Sequence, residues 1–103
     1  MQGGADEMIH EGLAVLTFRV DYVHSLKEKR SIISGMKAKV RAKYNVSIIE
    51  ADHHDVHQSI VVAISTISTS KDQVESTLHN ITDFLLNQFE VDLIGEEYYR
   101  ENY

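Results

Sequence analysis

An α+β sandwich, with four antiparallel strands and two helices on one face, is predicted by three observations. Four short segments alternate with a period of two. Two longer segments repeat apolar residues every three or four positions, and each of these opens on a helix-capping signature. Their order along the 103 residues is β-α-β-β-α-β. Both crossovers are long enough to lay their helices on one side of the sheet, the ferredoxin-like arrangement. Despite that name no cluster is implied: the chain has no Cys, which excludes iron–sulfur ligation, disulfides and thiolate zinc sites.

Residues 13–20 put Ala14, Leu16, Phe18 and Val20 on one face and Leu13, Val15, Thr17 and Arg19 on the other. Such a strand is apolar on one side and mixed on the other, as at an interior sheet position. Ser25-Leu26-Lys27-Glu28 is a capping box, in which the Ser25 hydroxyl takes an amide of the first turn and Glu28 reaches back. The helix it opens extends to about Tyr44, with Leu26, Ile33, Met36, Val40 and Tyr44 on one face and Asn45 as its C-terminal cap. Residues 46–53 and 56–68 are β-branched strands joined by a tight turn at His54-Asp55. Ser70-Lys71-Asp72-Gln73 is a second capping box, ahead of a helix carrying Val74, Leu78, Ile81, Leu85 and Phe89. The last strand covers 91–98. One domain over 8–100 is expected, with a loosely ordered extension at 1–7 ahead of Met8 and a polar tail at 101–103.

No apolar run approaches the ~20 residues of a membrane span, and residues 1–7 have no signal-peptide core. The expectation is a cytoplasmic protein with no membrane partner. Charge is distributed unevenly. Seven of the ten Lys and Arg fall within 26–43 beside a single acid, Glu28, giving that stretch +6 and the remainder −12 in a chain of formal charge −6. Lys27, Arg30, Ser34, Lys37 and Arg41 recur at three- and four-residue steps, a stripe beside the apolar face suited to the phosphates of an RNA backbone. A solvated helix face accounts for the same residues. On the interior strands, the face away from the helices shows Leu13, Val15 and Thr17 beside Val61, Ala63 and Ser65. This is no aromatic stacking platform. Together with Ile67 it predicts a homodimer through that face or an edge strand.

The topology also gathers His24, Ser25, Asp52, His53 and Asp55 at one end of the sheet, within reach of one small ligand. Asp55 and His57 have metal-ligand chemistry and alternate spacing. A solvated hairpin tip is the favoured reading of the same residues, and neither a metal nor another cofactor is expected. No nucleophile elbow, phosphate loop or dinucleotide fingerprint occurs.

Two blocks in these segments carry a family resemblance. Ser25-Leu26-Lys27-Glu28-Lys29-Arg30 is similar to the SLKEKR motif of the YlxP-like family of small bacterial proteins, a domain of unknown function. Tyr44-Asn45-Val46-Ser47-Ile48-Ile49-Glu50-Ala51-Asp52-His53 resembles its FNVSVAEVDH block, and Asp55 and Gln58 fit the continuation DHQDLWQ. His54, Val56 and His57 depart from that pattern. The resemblance runs over about 8–98. It implies a ferredoxin-like fold, no established activity, and a place near the ribosome, because members are often encoded beside translation initiation and ribosome-maturation factors. The resulting expectation is a non-enzymatic homodimer that binds ribosomal RNA or a ribosomal particle through Lys27, Arg30, Lys37 and Arg41. The alternatives are a small-ligand or metal-binding protein, possibly an enzyme, using the His/Asp end, and a module whose basic helix meets an acidic protein.

Overall fold

The computed structural model describes residues 8–52, 56 and 58–103. Its elements are β1 (His10–Arg19), α1 (Leu26–Lys43), β2 (Ser47–Asp52), β3 (Ser59–Ser68), α2 (Lys71–Gln88) and β4 (Asp92–Asn102). The strands form one antiparallel sheet in the order β2-β3-β1-β4, the ferredoxin-like topology. The even-numbered residues of β1 face the helices. Ala14, Leu16, Phe18 and the following Val20 are fully buried against Ile33, Met36 and Val40 of α1 and Leu78, Ile81 and Leu85 of α2. Apart from Ala14, each of these side chains contributes roughly 1.5–3 kcal/mol through burial.

Both helices begin where the capping signatures place them. Ser25 Oγ accepts from Glu28 N–H at 3.1 Å, and Ser70 Oγ accepts from Gln73 N–H at 3.2 Å. The second box is only half closed, because the Gln73 amide turns forward to Thr77 Oγ1 instead of back to the cap. Tyr44, not Asn45, is the C-cap of α1, in extended conformation.

β4 is longer than expected. Residues 101 and 102, assigned to a tail from their polarity, are strand, and Ile9 and Tyr103 exchange main-chain hydrogen bonds of 3.0 and 2.8 Å just beyond it. The cause is pairing. β1 itself starts early, at His10, so it offers a partner that residue polarity does not reveal. The turn predicted at His54-Asp55 lies outside the described residues.

Hydrogen-bond phase follows from the same contacts. Ile9 and Tyr103 exchange both main-chain bonds, and on the other side of β1 the Val20 N–H donates to the Gln58 carbonyl at 3.0 Å. Bonded pairs alternate along an antiparallel ladder, so odd residues of β1 bond to β4 and even residues to β3. It follows that the main-chain groups of Ile48, opposite Ile64, point out of the sheet at the β2 edge.

Gly12 decides how closely α2 sits. A Cβ there would collide with Val74 and Leu78, so the absence of a side chain lets α2 settle over the start of β1.

Candidate functional site at the basic helix and the hairpin end

The seven cations of α1 divide among three environments. Lys39 and Lys43 lie on the flank facing α2. Lys39 Nζ donates to Gln88 Oε1 at 3.0 Å, and Lys43 Nζ stands 4.8 Å from the centre of the Phe84 ring, which meets Tyr44 edge-on at 5.7 Å. On the opposite flank are Lys27, Arg30, Lys37 and Arg41. Lys27 and Arg30 are exposed, Lys37 is half-buried, and none of these three has a hydrogen-bond or ion-pair partner among the described residues. Arg41, expected to point into solvent with them, is exposed but engaged. Its guanidinium donates to the Ile48 carbonyl at 3.0 Å and thereby caps an outward main-chain group of the β2 edge.

The third environment is the interior, and it holds Lys29 alone. Its side chain is 1% exposed. Nζ donates to the Val56 carbonyl at 2.8 Å and lies 3.4 Å from Glu50 Oε2, a side chain 19% exposed. One buried ammonium thus joins the first turn of α1 to β2 and to the segment leading into β3. Gln58 adds a second tie at the same end. Its Nε2 donates to the Asp21 carbonyl at 3.2 Å while its own carbonyl accepts from Val20 N–H.

Lys29 is the residue that sequence reasoning missed, counted as one more surface charge. A signal was present: at four, seven and eleven residues before Ile33, Met36 and Val40, it stands in the register of the apolar face. Lys29, Glu50 and Gln58 come from the two motif blocks quoted above and the continuation of the second, so those stretches meet at one end of the sheet.

Of the residues proposed to form a ligand end, Ser25 is committed to the α1 cap, its Oγ also lying 3.4 Å from Glu28 Oε1. His24 and Asp52 are exposed. His53, Asp55 and His57 lie outside the described residues. A recess of about 500 Å³ opens at this end of the sheet, but its walls are Arg19, Asp21, Tyr22, Phe89 and Asp92, none of them predicted. Arg19 bridges Asp21 at 3.3 Å and Asp92 at 3.6 Å across it. Burial, and then the Glu90 carboxylate, raise the Tyr22 phenol above its usual 10.0. Among the described residues, no helix is long and apolar enough to cross a membrane.

Comparison with known proteins places this geometry in a group. A family model described as "Protein of unknown function (DUF503)" matches residues 12–98. Over 61 residues the chain is 36% identical to the "Uncharacterized protein YlxP" of Bacillus subtilis (strain 168), a match covering 59% of this chain and 66% of that protein. A solved structure titled "Structural Genomics, protein YJCS" superposes with a TM-score of 0.54 over 86% of this chain and 96% of its own. At 8% identity this likeness shows the fold alone.

Proposed function

For a chain that belongs to the DUF503 family, which supplies a fold and a motif pattern but no activity, we propose a non-enzymatic binding module that engages structured RNA, as on a ribosomal particle, along the outer flank of α1. The observation that carries this reading is the set of three cations Lys27, Arg30 and Lys37 on that flank, without partners among the described residues. They span ten residues, about 15 Å of helix axis. The other cations of α1 are occupied by a partly buried carboxylate, a carbonyl, a side-chain amide and aromatic rings. The acidic remainder of the chain repels polyanions elsewhere and so directs them to this flank.

Changing Lys27, Arg30 and Lys37 together to Glu tests the reading while leaving the structural Arg41 and Lys29 in place. Fluorescence anisotropy with labelled structured RNA should show wild-type binding that weakens as salt rises, and loss of that binding in the variant. Circular dichroism should be unchanged, as is usual for surface substitutions. Wild-type protein that binds no RNA at low salt but binds polyglutamate would replace this reading with an acidic protein partner. RNA binding that survives the charge reversal would move the site to the hairpin end.

A further inference from the structure

The sheet has two edges, and they are treated differently. β2 is six residues long, has a register shift between Glu50 and Asp52, and has its Ile48 carbonyl capped by Arg41. Shortness, a bulge and an inward-reaching cation are the devices that stop an edge from pairing. β4 is eleven residues long and contains no Pro, and its one register shift with β1 falls at Leu93–Gly95, ahead of a regular run from Gly95 to Asn102. Its ladder with β1 uses Gly95, Glu97, Tyr99 and Glu101, so the main-chain groups of Glu96, Tyr98, Arg100 and Asn102 point outward as a regular row.

We infer that two copies of this chain join edge to edge through β4, antiparallel about a dyad at Tyr98, to make one continuous eight-stranded sheet. The side chains fix the register. Glu96, Tyr98 and Arg100 lie opposite Leu16, Ala14 and Gly12, so all three stand on the helix-bearing face. A dyad at Tyr98 sets Glu96 opposite the second copy's Arg100, and does so twice by symmetry. Moving the dyad to Glu97 would place that carboxylate against its own copy, and moving it to Tyr99 would place Glu97 opposite Glu101. The three central pairs exchange about six main-chain hydrogen bonds.

Space permits the join. α2 packs chiefly over β1 and β3 and reaches β4 through side chains: His79 lies 4.7 Å from the Tyr98 ring, Thr82 Oγ1 is 3.1 Å from the Tyr98 hydroxyl, and Glu75 meets Arg100. The dyad therefore runs about two strand spacings from the α2 axis, and the two copies of α2 stand about 19 Å apart, clear of a helix diameter of 10–12 Å. Among the described residues Arg100 pairs with Glu75, at 3.3 Å and with both side chains nearly half exposed. Glu96 accepts from the Tyr98 hydroxyl at 2.8 Å. Exposed pairs of this kind are weak enough to be shared with a second copy. The inference is independent of RNA binding, because β4 and the outer flank of α1 lie on opposite sides of the molecule.

Light scattering of the wild-type chain at about 100 μM, a concentration at which a micromolar complex is nearly saturated, should report a dimer. Arg100→Glu, which sets Glu against Glu across the dyad, should raise the dimer dissociation constant at least about tenfold. Adding Glu96→Arg should bring the dimer back, because the swapped charges again oppose one another. Tyr98→Cys should form a disulfide-linked dimer under oxidising conditions, since a bonded antiparallel pair has its Cα atoms about 5.5 Å apart. Ile67→Cys, on the opposite face of the sheet, should not. A monomeric wild type, a folded double variant that stays monomeric, or a dimer indifferent to Arg100→Glu and broken by Ile67→Glu would each overturn the inference.

Discussion

Lys29 keeps its ammonium where almost no water reaches it, and oxygen atoms supply what water would have supplied. The Val56 carbonyl and the Glu50 carboxylate do this at 2.8 and 3.4 Å. Removing one member of a buried pair strands the other, which costs about 3–5 kcal/mol, whereas replacing both by apolar groups of similar volume is often nearly neutral. Lys29→Met should therefore lower urea-unfolding stability by about 3 kcal/mol, and Lys29→Met with Glu50→Leu should recover most of it. A double variant no more stable than the single would show that the cation's other contacts at the hairpin carry the effect. The apolar register of Lys29 was legible in the sequence. Its partner was not, because Glu50 and Val56 are distant in the chain and are brought beneath α1 only by strand pairing.

The elements themselves were written in local patterns. Alternation in β1 and β3, the capping boxes of α1 and α2, and the order of the six segments all follow from rules that act within a few residues. Where the reading fell short, the deciding interaction was remote. β4 continues through two polar residues because β1 starts early, and Arg41 turns to β2 because a carbonyl there has no strand partner. Gly12 belongs to the same class. Nothing in its neighbours shows that a helix presses on it, yet Gly12→Ala should drive a methyl group into Val74 and Leu78. Overpacking of this kind usually costs about 1–3 kcal/mol. Thermal unfolding should register the loss, and Val74→Ala in the same chain should relieve part of it.

Across the whole molecule, charge governs two dependences. The three proposed phosphate contacts of Lys27, Arg30 and Lys37 should give a slope of log affinity against log salt of about −2 to −3, at 0.7–0.9 per contact. The triple charge reversal should flatten it. The second dependence is alkaline. Burial raises the Tyr22 and Tyr98 phenols above 10.0, with Glu90 adding to the first and the Glu96 hydrogen bond and charge to the second. Both tyrosines stay protonated in the folded chain after the unfolded chain has begun to ionise. Their stabilising contribution is thus complete below 10.0 and is lost as pH rises through the folded values. Urea unfolding at about pH 9 and pH 11 should show the fall, and Tyr98→Phe should make it shallower.

The paired main chains of Ile9 and Tyr103 also carry a topological consequence. The first and last strands finish side by side, so a short linker between residues 103 and 9 would turn β1 and β4 into an ordinary hairpin. New chain ends can then be opened elsewhere without unthreading the sheet. Opening them between β2 and β3 would sever the covalent connection between those two strands, leaving the Lys29 clamp and the Gln58 hydrogen bonds among the fastenings at that end. The chain thus offers a circularly permuted form of itself in which the clamp and the Gln58 ties, no longer backed by a peptide bond between β2 and β3, would carry more of the load at that end.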